Sequence, residues 1–292
     1  MTSSRPRISV GVPVRHGERF LPEALDSLLA QSYKDFELII SDNASSDRTQ
    51  SICREYAVRD PRVRYYRSEQ DVGLANNFHY LFIRARGEYF KWAAADDVHE
   101  PDWISNCLTV LEQDPSVVLA YGKTKFIDEN GSLVKETDPG FDLRFDAAID
   151  RLRYVISATS WVNAIFGLVR SHELAKTRLL PSYPGGDYPL LAELAVLGKF
   201  VEVPDLLFRR RLHPGASSQN IGNSGFMVRL WTAGGRKSLP AWSRSRDDFK
   251  TILNSGLSAG EKLSLEMSLL RTMIRARRRL WAELQRGLLP RG

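Results

Sequence analysis

Residues 8–42 read ISVGVPVRHGERFLPEALDSLLAQSYKDFELIISD. Two apolar, β-branched runs, 8–14 and 36–41, flank a segment from Phe20 to Gln31 whose apolar residues recur at helical spacing, with Pro22 in its first turn. This order predicts a strand, a loop, a helix and a second strand. Because a helix connects the two strands, we expect them to lie parallel in one sheet.

The alternation of strands and helices continues beyond this stretch. A helix capped by Ser45 or Ser46 is predicted to reach about Val58. The next predicted elements are strands at Val63–Arg67, Tyr89–Ala94 and Val117–Tyr121, and helices at Leu74–Ala85 and from Pro101 to about Gln113. This spacing predicts an α/β fold with a mainly parallel sheet that is covered by helices on both faces.

The pattern becomes irregular after residue 121, with a predicted turn at Glu129-Asn130-Gly131 and a loop around 138–140. Further elements are predicted as a helix from about Ala147, a strand at Ala164–Val169, a helix at Asp187–Leu197 and a strand near Leu206–Leu212. The segment Gly222–Ser243 is rich in Gly, Ser and Trp, and we interpret it as a link to a helical tail at Glu261–Leu284.

The composition and net charge indicate which classes of protein and partner to expect. The chain has 292 residues, of which 43% are hydrophobic and 26% charged, with a formal net charge of +6 that reflects arginines near the C-terminus. Nucleic acid is therefore not the expected partner. The two cysteines, Cys53 and Cys107, lie in predicted helices, which favours a reducing compartment. With a polar start and no apolar run long enough for a bilayer span, we expect a cytoplasmic protein, soluble or peripheral to the membrane.

Candidate functional residues follow the predicted strands, because ligands of open α/β sheets bind at the carboxyl ends of the strands. These residues are Pro13, Asp42, Arg67 and the pair Asp96-Asp97. Carboxylates on two strand ends with an arginine between them suit a base, a diphosphate and a divalent cation such as Mn2+ or Mg2+. Such a cation takes carboxylate and phosphate oxygens together, and Arg67 can add a phosphate contact.

Each of these residues also has a purely structural interpretation. Asp42 can begin an Asx turn, Asp96-Asp97 can be turn and capping residues, and Arg67 can be a solvated charge at a strand end. Their combination on successive strand ends is what favours binding.

The same residues carry a resemblance to a known family. The opening ISVGVPV at 8–14, followed by LPEALDSLLAQS at 21–32, resembles the start of family 2 glycosyltransferases with the GT-A fold. The resemblance continues through FELIISDNASSDRT at 36–49, Gly73 to Asn77 and GEYF at 87–90 into Asp96-Asp97, and it returns at Gly186-Asp187 and Arg211-Leu212-His213.

The resemblance implies an enzyme that transfers a sugar, with inversion, from a nucleoside-diphosphate donor, UDP- or dTDP-linked, to an acceptor hydroxyl on a glycan or lipid-linked acceptor in cell-envelope glycan synthesis. It implies a GT-A catalytic domain at 1–221, with nucleotide-sugar binding in 1–121 and the acceptor side in 122–221, followed by a linker and a basic amphipathic helical tail at 222–292. It also implies roles at the donor for a set of matched residues: Pro13, Val14, Asp42, Arg67, Asn77, Asp96, Asp97 and His213. Of these, Asp97 and His213 are the implied metal ligands for Mn2+ or Mg2+.

Asp187 matches the position of the family's general base. A carboxylate near a helix N-terminus is kept ionised by backbone N–H groups and the helix dipole, so that it can accept a proton from a hydroxyl. Without the resemblance, Asp187 is better explained as the helix cap and His213 as a loop histidine.

Departures from the family pattern leave other classes of protein open. Ala94 occupies a position that is often a further Asp, which gives some support to a degenerate protein that binds sugar nucleotides or acts as a membrane scaffold without catalysis. A metal-dependent nucleotidyltransferase is the alternative enzyme. It would be expected to have a Gly-rich loop after the first strand, and Pro13 to Phe20 offers only Gly17.

The predicted tail is a basic amphipathic helix. Six apolar residues fall close to one helical face: Leu263, Met267, Leu270, Ile274, Trp281 and Leu284. Arginines occupy the rest of the helix surface, at positions 271, 275, 278 and 279. The tail can dock on an anionic membrane surface, or its apolar face can pack on the catalytic domain or on a second subunit.

Overall fold

The computed structural model describes residues 5–136, 140–158, 163–220, 224–233 and 239–288. It confirms the predicted α/β class. The strands are β1 (Ile8–Val14), β2 (Phe36–Asp42), β3 (Val63–Arg67), β4 (Tyr89–Trp92), β5 (Val98–His99), β6 (Val117–Ile127), β7 (Leu133–Glu136), β8 (Leu168–Arg170) and β9 (Lys199–Arg211). The helices are α1 (Leu21–Leu29), α2 (Thr49–Arg59), α3 (Leu74–Arg84), α4 (Trp103–Gln113), α5 (Ala148–Ser157), α6 (Ser171–Leu174), α7 (Asp187–Leu197), α8 (Ser224–Trp231), α9 (Pro240–Asn254), α10 (Ala259–Arg275) and α11 (Arg277–Leu288).

One mixed sheet organises the molecule. Its strand order is β3-β2-β1-β4-β8-β6-β9-β5, and β7 pairs with β6. Strand β1 is parallel to both β2 and β4, and β2 is parallel to β3, whereas β8 is antiparallel to both of its neighbours. The carboxyl ends of β1, β2, β3 and β4 therefore meet at one edge.

Helices cover both faces of the sheet, which explains why its central strands are apolar along their whole length. Leu38 and Ile40 face the core formed with α1, α2 and α4, while Ile39 between them faces the core formed with α3, α5 and α7. Alternating side chains of one strand thus belong to different cores.

Several predicted boundaries differ from the structure. The cap prediction for α2 is wrong, because the Ser45 hydroxyl accepts a hydrogen bond from the His16 N–H and the Asp47 carboxylate accepts from the Thr49 N–H. The strand predicted at 164–169 is a 3-10 turn at 163–166 followed by β8. Strand β6 extends six residues beyond its predicted end because it continues to pair with β9. The loop predicted around 138–140 lies largely outside the described residues.

The C-terminal part contains more helix than predicted. The segment interpreted as a link contains α8 and the start of α9, and the predicted tail consists of two helices, α10 and α11. In the described part of the chain, no helix combines the length and apolar character that a membrane crossing needs. Helix α9 packs on α7, so these C-terminal helices adjoin the element that begins with Asp187.

Candidate active site

Three neighbouring strand ends bring the predicted base-side residues together. Val14, beside Pro13 on β1, pairs with Asp42 on β2, and Asp42 pairs with Arg67 on β3. The Arg67 guanidinium donates to Asp42 Oδ2 at 2.6 Å and to the Ser45 carbonyl at 2.8 Å. Asp42 is fully buried and also accepts from the Tyr65 hydroxyl. Asp42 and Arg67 thus form one ion pair at the end of the sheet.

Asn77 lies behind these strand ends. Its side chain is buried, its Oδ1 accepts from the Ser41 hydroxyl at 2.5 Å, and its Nδ2 donates to the Ser41 carbonyl at 3.0 Å. These two bonds tie α3 to the end of β2. The geometry is that of a residue that positions the neighbouring Asp42, and a direct donor contact of Asn77 stays a prediction.

The acidic pair follows β4, the neighbour of β1 on its other side. Asp97 is buried, and its Oδ1 accepts from the Arg211 backbone N–H at 2.8 Å. Asp96 Oδ2 lies 2.9 Å from His213 Nε2, and the His213 ring contacts the Phe20 ring with 4.8 Å between centroids. The end of β9 therefore brings His213 to the acidic pair, although more than a hundred residues separate them.

Arg211 was part of the family resemblance but was not among the predicted site residues. Its side chain is 1% exposed, and its guanidinium donates to the Asp96 carbonyl at 2.9 Å and to the Asp128 and Glu129 carbonyls at 3.1 and 3.3 Å. It also pairs with the Glu23 carboxylate at 2.5 Å. Arg211 thus fixes the acidic loop against α1 and the turn after β6. Three consecutive arginines end β9, and nothing local in the sequence distinguishes the inward one.

The surroundings of Asp97 favour a bound cation. Burial raises the pKa of Asp97, and the neighbouring Asp96 raises it further, while Arg210 and Arg211 oppose the shift. A buried carboxylate whose ionised form is costly gains from a positive charge placed beside it. The protein's own arginines only partly supply that charge.

A buried lysine lies beneath the same loop. Lys91 on β4 has its Nζ 2.7 Å from His99 Nε2 and 3.7 Å from the centre of the Trp103 ring. Burial lowers the pKa of Lys91 to about 7, and interactions with Cys107 and with the Asp97 carboxylate oppose this shift. This lysine was not among the predicted site residues, because a single Lys inside an apolar strand gives no pattern to recognise.

Asp187 is the first residue of α7 and is half-buried. Burial raises its pKa, while the backbone N–H groups of Asp187 and Tyr188 and the guanidinium groups of Arg244 and Arg210 lower it. Close packing sets the start of this helix, since a Cβ on Gly186 would lie 2.5 Å from the Pro181 carbonyl oxygen. Arg244, from α9, lies over the Tyr188 ring at 4.0 Å.

Arg210 links the two halves of the site. It is on β9 beside Arg211, and its guanidinium donates to the Asn163 side chain. Its charge lowers the pKa of both Asp97 and Asp187. Charge interactions weaken with distance and with solvent screening. The Arg210 guanidinium is therefore close enough to interact electrostatically with both the Asp97 and the Asp187 carboxylates. A common cleft for the acidic loop and the start of α7 stays a prediction.

The donor set suits a divalent cation that is shared with a ligand. Asp96, Asp97 and His213 supply carboxylate oxygens and an imidazole, which Mn2+ accepts. Within the ranges described, no group of three or more His, Cys, Asp or Glu side chains is arranged to hold an ion by itself. Cations of this kind commonly take one or two carboxylates together with substrate phosphate oxygens. The residues present fit that mode of binding.

Comparisons with known proteins identify the family and the fold. Residues 9–166 match the sequence family described as Glycosyl transferase family 2. An uncharacterized glycosyltransferase from Rickettsia felis is 31% identical over 46% of this chain, and the match spans only 22% of that relative's length. TarS from S. aureus, solved with UDP-GlcNAc, has a TM-score of 0.71 at 16% identity, covering 92% of this chain and 73% of TarS.

A second solved structure extends the likeness to nearly the whole chain. The mannosyltransferase PcManGT from Pyrobaculum calidifontis, solved with GDP-Man and Mn2+, has a TM-score of 0.55 at 17% identity, covering 98% of this chain and 80% of that one. At such identities, the structural likenesses show the fold, which is GT-A. The predicted fold class is confirmed.

Proposed function

Because this chain belongs to glycosyl transferase family 2, we propose that it transfers a sugar, with inversion, from a nucleoside-diphosphate donor to an acceptor hydroxyl. The observation that carries the proposal is the position of the β9 end. Arg211 at the end of β9 and His213 just after it hold the acidic loop, and the positive charge of Arg210 lowers the pKa of both Asp97 and Asp187. Donor and acceptor chemistry then meet in one cleft.

The donor occupies the strand ends in this proposal. Pro13 and Val14 line the base pocket, Asp42 accepts a hydrogen bond from the base, and Arg67 contacts the diphosphate. Asp42 and Arg67 are paired with each other, so a nucleotide that contacts both residues replaces part of their mutual contact. Solved relatives of the same fold with UDP-GlcNAc and GDP-Man support a nucleotide sugar as the donor. We propose specifically that the nucleoside of the donor is uridine or thymidine.

Asp97 and His213 are the residues that would hold a divalent cation, Mn2+ or Mg2+. When bound, the cation would neutralise the charge that develops on the departing nucleoside diphosphate. Asp96 is hydrogen bonded to His213 and orients the imidazole. Arg211 keeps the whole loop in place from behind.

Asp187 is the proposed general base. Its carboxylate accepts the proton of the acceptor hydroxyl while that oxygen bonds to the anomeric carbon. The bond between the anomeric carbon and the diphosphate oxygen breaks, and the nucleoside diphosphate leaves with the electron pair. Attack from the side opposite the leaving group inverts the anomeric configuration, and no covalent enzyme intermediate is formed.

We place this reaction in the cytoplasm. Both cysteines, Cys53 and Cys107, are buried free thiols, and burial raises the pKa of Cys53 to about 12. Unpaired, inert thiols are typical of proteins in reducing compartments.

A panel of donors tests the proposed function. UDP-, dTDP- and GDP-sugars are added with and without Mn2+, and melting temperature and donor hydrolysis are measured. A matching donor at a hundred times its Kd should raise Tm by about 5 °C, and mainly with Mn2+ present. Asp97→Asn should lose the Mn2+-dependent part of the shift.

The matched control is Asp150→Asn, which changes an exposed aspartate on α5 and should behave like the wild type. With a sugar acceptor in hand, the anomeric configuration of the product is read by NMR. Retention of configuration, or a shift in Tm that is the same with a chelator as with Mn2+, would contradict the proposal.

A further inference from the structure

Helices α10 and α11 are fixed to the rest of the protein through one face. Leu265 and Leu269 of α10 and Leu280 of α11 are buried. The Trp242 indole N–H of α9 donates to the Leu280 carbonyl at 3.0 Å, and the Ala241 N–H donates to the Glu283 carboxylate at 3.1 Å. The two helices are therefore held in a defined orientation, with their opposite face directed away from the protein.

That opposite face is apolar. Five large side chains recur along it at intervals of four, three, four and seven residues, and all are exposed: Leu263, Met267, Leu270, Ile274 and Trp281. Ile274 and Trp281 are 61% and 63% exposed. The sequence-based alternative in which this stripe packs on the catalytic domain is wrong for these five residues, because the helices pack through Leu265, Leu269 and Leu280 instead.

Basic residues border this apolar stripe along the two helices. Five exposed arginines flank or follow the stripe: Arg271, Arg275, Arg277, Arg278 and Arg279. The acidic residues of these helices do not offset them on this side, since Glu283 is buried, Glu261 is engaged in the capping box with Ser258, and Glu266 is half-buried. We call the five apolar residues and these five arginines the basic apolar face.

We propose that the basic apolar face docks on an anionic phospholipid surface, with the helices lying in the plane of the interface. Apolar side chains on one helix face, bordered by arginines, suit the boundary between acyl chains and negatively charged head groups. A tryptophan such as Trp281 is favoured at that depth because its ring is apolar and its N–H can meet water. The proposal does not depend on the transfer reaction.

Charge distinguishes this occupant from a second copy of the chain. A symmetric contact through the same face would set the five arginines of one copy against the five of the other, in a contact that excludes water. Like charges brought together in this way destabilise the contact, whereas an anionic bilayer neutralises them. The positive charge of the basic apolar face therefore favours an anionic lipid surface over a second copy of the chain.

Vesicle binding of the full chain tests the proposal. Vesicles of phosphatidylcholine alone are compared with vesicles that also contain phosphatidylglycerol, by co-sedimentation. We expect binding only to the mixed vesicles, weakened by added salt. Tryptophan fluorescence should shift to the blue on binding, and Trp281→Phe should abolish most of the shift while the other tryptophans remain.

Two pairs of variants separate the apolar and charged contributions. Leu270→Glu with Ile274→Glu should weaken binding by about tenfold or more, and Arg275→Gln with Arg278→Gln by a similar factor. The matched controls are Val58→Glu with Ile83→Glu, and Arg54→Gln with Arg144→Gln. These change residues that are exposed elsewhere on the protein, and the variants should bind like the wild type.

Three outcomes would overturn the proposal. If binding is the same with and without phosphatidylglycerol, the arginines do not recognise anionic head groups. If the variants of the basic apolar face bind as well as their controls, the face is not the docking surface. A dimer in sedimentation velocity that Ile274→Glu dissociates, with no vesicle binding by the wild type, assigns the face to a second copy instead.

Discussion

The guanidinium of Arg211 is almost fully buried behind the acidic loop. It donates to main-chain carbonyls of the acidic loop and of the turn after β6, and it pairs with Glu23 of α1. Three separate segments therefore depend on one side chain for their relative positions. A buried charge of this kind is costly unless it is fully paired, and here each segment supplies a partner.

Replacement of Arg211 by methionine keeps an unbranched side chain and removes its hydrogen-bond donors. We expect Arg211→Met to lower the free energy of unfolding by about 3 kcal/mol, because buried carbonyls lose their partners. The KM for the donor should rise about tenfold because the acidic loop is no longer held in register. Urea unfolding and steady-state kinetics measure the two effects.

Arg209→Met is the matched control on the same strand. Arg209 pairs with Glu100 at 2.7 Å, and its side chain is 41% exposed. Exposed ion pairs contribute little, so the change should cost about 1 kcal/mol or less. If both variants had the same KM and stability, the positioning role of Arg211 would be wrong.

At the scale of single elements, the helix α7 sets the chemistry of Asp187. Backbone N–H groups at its start, Arg244 from α9 and Arg210 from β9 stabilise the ionised carboxylate, and burial opposes them and prevails. The pKa of Asp187 is therefore raised above the ordinary value of 3.8. The neighbouring Tyr188 does not contribute to titration in acid, because burial and the Asp187 charge raise the pKa of its hydroxyl.

This shift predicts an acidic limb in the rate of transfer. A general base acts in its ionised form, so activity is present above the pKa of Asp187 and is lost as pH falls through it. We expect kcat, measured with saturating donor and Mn2+, to fall about tenfold per pH unit below a midpoint higher than 3.8. Asp187→Glu should keep such a limb at a reduced rate, while a limb that persists unchanged in Asp187→Asn would assign it to another group.

The elements also show what sequence patterns can and cannot predict. Strands β1 and β3 and helix α7 have their predicted bounds, because each is an apolar or amphipathic run enclosed by turn residues. Helices α8 and α9 were missed, since local Gly, Ser and Trp suggested a link where tertiary packing on α3 and α7 stabilises helix. The full lengths of β6 and β9 come from their pairing with each other, which no local window contains.

The sequence predicted those site residues that directly follow a predicted strand. Asp42, Arg67 and the acidic pair were identified from their positions after strands, and the fold brings them to one edge. The contacts that His213 and Arg211 make with the acidic loop depend on β9 arriving from more than a hundred residues away. Only the resemblance to a family, and not spacing or composition, pointed to His213.

At the scale of the whole molecule, the C-terminal helices connect two surfaces. Helix α9 packs on α7, whose first residue is Asp187, and it also holds α11 through Ala241 and Trp242. The basic apolar face is thus fixed relative to Asp187 through α9 and α5, since both helices pack on α7 and on α10. An enzyme docked through that face would hold its cleft at a constant orientation to the lipid surface.

The central claim is that Asp97 and Asp187 serve one cleft in different roles, and separate measurements of binding and turnover test it most directly. Titration calorimetry with the nucleoside diphosphate, with and without Mn2+, is compared with single-turnover transfer. We predict that Asp187→Asn binds like the wild type but transfers about 100- to 10,000-fold more slowly, whereas Asp97→Asn loses the Mn2+-dependent affinity. Wild-type transfer by Asp187→Asn, or Mn2+-dependent affinity that survives in Asp97→Asn, would contradict the account.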